Sequence, residues 1–283
     1  MTIRNILVPL FPGVAFDNQL AVAVDLARTV EGHINAVFVR PDPMQIIAAA
    51  PSVTLAAGLS AAMIKHDGEA AAAAAKEKFE RWRREEGLAA TIVDRSLRTP
   101  YARWSERVGD VAPIVAACGR LSDLIVINRP SMSFASAEAF DAAVFESGRP
   151  TLLVDRKVSR DLLRHVVIAW NGSLEATRAV AGAMTLLHEA QQVSIFTTLD
   201  DSALEQDLDL AESLCWHGIN PRYLRPRPGE TSAAEALPRI LGDVNPSMLV
   251  MGAYTHSRLR ETFLGGVTRE VLAHVEIPVL MMH

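Results

Sequence analysis

Met248-Leu-Val-Met-Gly252-Ala-Tyr-Thr255-His256 opens the stretch that decides the fold, which runs on through Gly265-Gly266-Val267-Thr268 and a helical pattern to Ile277-Pro278-Val-Leu-Met-Met282. An apolar strand runs straight into a glycine. A short loop follows, a Gly-Gly pair opens a helix, and a second apolar strand closes the segment. A strand, glycine, loop and helix in this order aim free backbone N–H groups and a helix N-terminus at an anion. The stretch predicts a nucleotide-binding corner at the end of a buried strand.

The same plan occurs earlier in the chain. Ile6-Leu-Val-Pro-Leu10 resembles Val166-Val-Ile-Ala-Trp170, and the turns Phe11-Pro-Gly13 and Asn171-Gly172-Ser173 follow them. Helical patterns near 17–31 and 174–189 lead to strands at 35–39 and 193–197. Asp123-Leu-Ile-Val-Ile-Asn128 matches Ser247-Met-Leu-Val-Met-Gly252, and Gly148-Arg-Pro150-Thr-Leu-Leu-Val154 matches Glu276-Ile-Pro278-Val-Leu-Met-Met282. Order and spacing are kept, which marks a duplication. The strands are continuous apolar runs, as parallel strands buried on both faces require. Right-handed crossovers then place helices on both sides of each sheet.

The predicted fold class is α/β: two flavodoxin-like domains, each an open, mainly five-stranded parallel sheet with helices on both faces. The domains are read as residues 1–157 and 161–283, joined by the polar bridge Arg156-Lys-Val-Ser-Arg160. The first carries an Ala-rich insertion near 41–66 with no counterpart in the second, and its conformation is left open. A helix over 67–87, ended by Gly87, has its counterpart near 201–217.

Composition narrows the function classes. With 49% hydrophobic residues in a chain of 283, a sizeable core is expected. A net charge of −5 and a pI near 5.9 argue against a nucleic-acid groove. Arg81-Trp82-Arg83-Arg84 runs directly into Glu85-Glu86 and reads as a solvated helix face. Cys118 and Cys215 form no CxxC pair and read as buried free thiols in a reducing cytosol. The N-terminus enters a strand at once, without a signal-peptide pattern, and no apolar run is long enough to span a bilayer, so a cytoplasmic protein without membrane partners is expected.

Two halves with Gly252, Gly265 and Pro278 placed this way resemble a tandem universal stress protein, the second half more closely than the first. The resemblance implies adenine nucleotide alpha hydrolase-like domains that pair through their last strands, within one chain in tandem members. Binding-competent members of the family show a glycine, two residues, a second glycine, nine residues, then Gly-Ser or Gly-Thr. Gly252 and Gly265 fit that pattern, whereas Thr255 stands at the second glycine and Gly266 at the hydroxyl position. Asn171, followed by Gly172-Ser173, stands where the family commonly has an aspartate. Asn171 keeps a carbonyl acceptor but no charge. The Cβ of Thr255 limits how closely a phosphate approaches, while Thr268 offers a hydroxyl from the first turn of the last helix.

On this basis the base of an adenine nucleotide is expected near Trp170, Asn171, Gly172, Ser173, Phe196 and Met251. Its phosphates are expected over Gly252, Thr255, His256, Gly265, Gly266, Val267 and Thr268. The implied function is binding of ATP or AMP with a sensing or regulatory role in stress response. The alternative is a member that binds no nucleotide and acts through protein contacts or another small ligand. The first half resembles a degenerate copy: Asn128 replaces the glycine, Arg129-Pro130 follows, and Asn128 to Pro150 spans 22 positions against 26 from Gly252 to Pro278.

No GxSxG elbow, Cys-His signature, general base or positioned lysine is visible, so no catalytic residue is assigned and ATP hydrolysis is at most slow. The eight histidines form no metal-ligand spacing. Asp200-Asp201, Asp207 and Asp209 read as carboxylates of a helix start and its solvated face, so Mg²⁺ is expected only with the phosphates. Trp82, Trp104 and Trp216 read as packing anchors on helices. The closing strands over 151–154 and 279–282 predict pairing of the two domains within the chain, to which a homodimer can be added.

Overall fold

The computed structural model describes residues 2–91, 100–130, 134–154, 161–198, 204–227, 232–253 and 266–283. The chain divides into two compact units, Ile3–Ser147 and Gly148–His283.

The first unit runs β1 (Asn5–Leu10), α1 (Asp17–Thr29), β2 (His33–Arg40), α2 (Pro43–Ala49), α3 (Pro51–Ala56), α4 (Ala61–Glu85), β3 (Ala102–Val108), α5 (Val111–Arg120), β4 (Leu124–Asn128) and α6 (Phe134–Asp141), which passes into a π-helical turn. Its strands are parallel, in the order β3-β2-β1-β4. Leu7, Val8, Leu124 and Ile125 are fully buried, as their continuous apolar runs predict. The insertion is two helices, α2 and α3, and the first residues of α4. Proline stands in the first turn of α2 and of α3, where its missing N–H goes unneeded. Asp42 caps α2 by accepting from the Met44 N–H at 2.8 Å. Ser60 accepts from the Met63 N–H at 3.2 Å, and this cap starts α4 six residues before the predicted helix at 67. The helix packs through Phe79, whose ring lies 5.5 Å from Trp82 and 5.3 Å from Trp104. Trp104 is a packing residue as expected, but on strand β3 and not on a helix.

The second unit runs β5 (Thr151–Val154), β6 (Val166–Ala169), α7 (Leu174–Glu189), β7 (Val193–Phe196), α8 (Leu204–Trp216), β8 (Arg222–Leu224), α9 (Ala233–Val244), β9 (Met248–Gly252), α10 (Gly266–His274) and β10 (Val279–Met282). Its order is β5-β10-β9-β6-β7-β8. Five strands are parallel and β5 is antiparallel to β10, with Leu152 opposite Leu280 and Leu153 opposite Val279. Strand β5, read as the close of the first repeat, therefore groups with the second unit. The division falls before the polar bridge, and residues 155–160 lie outside the described residues. The duplication extends to register: Ile6 faces Leu124 as Val166 faces Met248. Among the described residues no helix is long and apolar enough to cross a membrane.

Two readings of the α8 terminus are corrected. Cys215 is exposed rather than buried, and Trp216 is 76% exposed and anchors nothing. Both sit on the last turn of α8.

At the amino end of β6 lies a buried polar cluster. The His165 Nε2 is 2.9 Å from the Ser194 hydroxyl and 3.3 Å from the Gln192 amide. The His165 N–H donates to the Ser247 hydroxyl at 2.9 Å, and that hydroxyl donates to the Leu162 carbonyl. Burial holds the His165 pKa below the ordinary 6.5, and the nearby Arg164 guanidinium adds to the effect. The unfolded chain therefore takes up a proton near pH 6.5 that the folded chain refuses, so stability is full above that pH and declines as pH falls below it. Thermal unfolding followed from pH 8 to pH 5 should show this decline, and His165→Gln should flatten it. His33, whose pKa burial also lowers, keeps a residual slope of the same sign.

Candidate functional site

The site grows from the carboxyl ends of β6, β7 and β9. The Trp170 N–H donates to the Phe196 carbonyl at 2.8 Å and ties the ends of β6 and β7 together. The chain then turns through Asn171-Gly172-Ser173, with Gly172 at φ +69°, a conformation that suits glycine. The Ser173 N–H donates to the Asn171 Oδ1 at 3.2 Å. The Ser173 Oγ in turn accepts from the Ala176 N–H at 3.1 Å and caps α7. The acceptor that Asn171 was expected to hold out to a ligand is thus engaged within its own turn.

Opposite this turn β9 ends at Gly252. A Cβ there would lie 2.6 Å from the Ala176 nitrogen, 2.8 Å from the Glu175 carbonyl carbon and 2.9 Å from the Glu175 Cβ. The missing side chain is what lets the first turn of α7 press against the end of β9. Glycine at this position is required by the helix that packs on it, whatever the pocket receives.

Between these ends is a cavity of about 90 Å³. Of the predicted residues, Trp170, Asn171, Phe196, Met251, Gly252, Val267 and Thr268 line it. Gly172 and Ser173 form the adjoining turn, and Gly266 starts α10. Thr255, His256 and Gly265 lie outside the described residues, as do Asp200 and Asp201. Ala169, Thr198, Ala233 and Leu237 also line the cavity, and sequence reasoning did not name them. Thr198 stands two positions past Phe196, and counting on along that strand finds it. Ala233 and Leu237 come from α9, whose apolar stripe marks a buried face without showing which strand ends it covers.

None of these lining residues carries a charge. Apolar faces of Trp170, Phe196, Leu237, Met251 and Val267 surround the hydroxyl-bearing Thr198 and the nearly buried Thr268. Thr268 is in the first turn of α10, so a helix N-terminus opens at the rim, where the dipole favours an anion. Such a lining suits a flat, weakly polar ring inside and negative charge outside. Among the described residues there is no group of three or more His, Cys, Asp or Glu that could hold a metal ion.

The first unit treats the equivalent place differently. Gln19, 2% exposed on α1, donates from Nε2 to the Pro9 carbonyl at 3.2 Å and the Val126 carbonyl at 3.3 Å. It spans the ends of β1 and β4, where the second unit has Ala176 against Gly252. Asn128 donates to the Ala15 carbonyl at 2.7 Å. Its own side chains satisfy the strand ends there.

An open parallel sheet wound on both faces, whose order reverses between β6 and β9 and whose cavity lies at that reversal, is an α/β fold of the adenine nucleotide alpha hydrolase-like kind. Residues 228–283 match the model of the Universal stress protein family. A universal stress protein from Archaeoglobus fulgidus DSM 4304 is similar in structure, with a TM-score of 0.67 at 16% identity over 98% of this chain and 95% of that one. A functionally unknown protein from Pseudomonas aeruginosa PAO1 gives 0.56 at 15% identity over 99% and 92%. At these identities the likeness is one of fold, and it spans both units. No curated protein matches the chain. The resemblance to tandem universal stress proteins read in the sequence is borne out.

Proposed function

We propose that the Gly148–His283 unit binds an adenine nucleotide, ATP or AMP, and that occupancy serves a sensing role in the stress response of the cytoplasm. The observation that carries this reading is a cavity at the point where the strand order reverses, its described lining residues uncharged and largely apolar, with α10 starting at its rim. Pockets that bury a whole small molecule run to about 300–1,000 Å³. A cavity of about 90 Å³ is small beside these and suits the base alone. The ribose and phosphates then lie outside, against the N-terminus of α10, and Thr268 supplies a hydroxyl beside them. No carboxylate is among the described lining residues, and Mg²⁺ on this reading enters as a partner of the phosphates.

The test is calorimetric titration of the purified chain with AMP and ATP, together with mass spectrometry of any nucleotide released on denaturation. Micromolar binding is expected. Ala233→Trp, which fills the cavity from the first turn of α9, should weaken it by roughly 10-fold or more at unchanged melting temperature. Absence of both heat and released nucleotide from the unmodified chain sinks the reading. One observation favours a second reading: the Asn171 Oδ1 is already bonded to the Ser173 N–H. That bond supports a universal stress-type protein acting through a protein partner or another small ligand, and recovery of a bound compound without adenine would add to it.

A further inference from the structure

We propose that the indole N–H of Trp170 reads the ligand's base by donating a hydrogen bond to one of its ring nitrogens. The inference rests on the nucleotide reading and deepens it, since it names the feature by which the cavity chooses its base. The Trp170 Nε1 is buried and has no hydrogen-bond partner in the chain. Among the described residues lining the cavity, Trp170 alone has a buried side-chain nitrogen or oxygen left unbonded. An indole N–H donates and accepts nothing. Shut away from water and given no acceptor, it costs the folded chain its full desolvation. Buried donors are almost always satisfied, so an orphan on a cavity-lining residue marks a place where a ligand supplies the acceptor.

Packing does not account for the tryptophan. The duplication sets Leu10 at the equivalent position of the first unit, 1% exposed, where Gln19 bridges the neighbouring strand ends. An aliphatic side chain thus ends the strand where the chain satisfies itself. An aromatic one with a donor ends it where the cavity lies. The ring is carried on backbone tied to the sheet, because the Trp170 backbone N–H donates to the Phe196 carbonyl at 2.8 Å.

The rest of the lining leaves the choice to this group. Apart from Trp170, only Asn171, Thr198 and Thr268 bring a polar side chain to the described lining. Threonine hydroxyls rotate to donate or accept and so distinguish little. Asn171 is exposed, where water answers for its amide. The indole is fixed in sign. A base that sets a lone-pair nitrogen against it gains a bond. One that sets a C–H there leaves the donor buried and unmet, and is rejected. Adenine carries such nitrogens at ring positions 1, 3 and 7, and is accepted through one of them.

Calorimetric titration with AMP and its 1-deaza, 3-deaza and 7-deaza analogues, each of which replaces one ring nitrogen by C–H, tests it. One analogue should bind the unmodified chain roughly 10-fold more weakly than AMP, and the other two within about 2-fold of it. Trp170→Phe keeps an aromatic ring and removes the donor. It should bind AMP roughly 10-fold more weakly and no longer tell that analogue from AMP. The analogue series needs only the unmodified chain, so it decides the matter even where the variant does not fold. Three analogues equal to AMP overturn the inference and leave nucleotide binding standing. A variant that weakens all four compounds by one factor does the same, because the indole then serves as packing and another group reads the base. Absence of AMP binding to the unmodified chain sinks this inference together with the nucleotide reading.

Discussion

Gly252→Ala is expected to lower the unfolding free energy by roughly 1–3 kcal/mol, although it adds one methyl group. The added carbon would sit 2.6 Å from a backbone nitrogen and 2.8 Å from a backbone carbonyl carbon of α7. Neither atom can swing aside as a side-chain tip can. Either the first turn of α7 retreats, with the Ser173 cap on it, or the end of β9 does. Each displacement alters the cavity wall, so ligand affinity should fall along with stability. Gly242→Ala is the control. It lies in α9 with nothing within 4 Å of its would-be Cβ, and alanine in a helix interior should stabilise by about 0.5–1 kcal/mol. Urea denaturation of the two variants should give opposite signs. A Gly252→Ala protein as stable as the unmodified chain would show that the approach of α7 to β9 is looser than described.

Phe79→Ala should be costlier still, about 3–5 kcal/mol in the Ile3–Ser147 unit. The ring is 0% exposed and lies between Trp82 of its own helix and Trp104 of β3. Truncation removes both aromatic contacts and opens a cavity beneath the C-terminal part of α4. The rest of that helix has little else to hold it: Ala72 is its other buried residue. Phe79→Leu, which keeps most of the volume, should cost about 1.5 kcal/mol or less. Fluorescence of Trp82 and Trp104 reports the loss directly. A loss below 1 kcal/mol for the alanine variant would place the anchoring of α4 elsewhere.

The parallel sheets were legible because burial on both faces leaves strands as unbroken apolar runs, and β1, β4, β6 and β9 all read that way. The duplication was legible because those runs recur in order. Strands β3 and β8 were not: Ala-Arg-Trp-Ser-Glu-Arg-Val and Arg-Tyr-Leu lie at sheet margins, where one side faces water and the apolar signal fades. The insertion was illegible for the opposite reason. Its apolar residues point outward, so a pattern that normally reports burial reported nothing usable. At the site, strand ends and the Thr268 turn were found from motif spacing. Ala233 and Leu237 were missed because they reach the cavity through packing of α9, which no local pattern encodes. The engagement of Asn171 with Ser173 was equally hidden, since a free acceptor and a satisfied one are spelled alike.

Strand β5 has a consequence for anyone dividing the gene. Cutting after residue 157 would strip β10 of its antiparallel neighbour and leave the amides and carbonyls of Val279–Met282 bare along one side. A fragment in that state can heal itself by abutting a twin, β10 to β10, because antiparallel pairing is compatible with a two-fold axis. The severed C-terminal repeat should therefore be recovered as a dimer, reproducing between molecules what the intact polypeptide achieves within one.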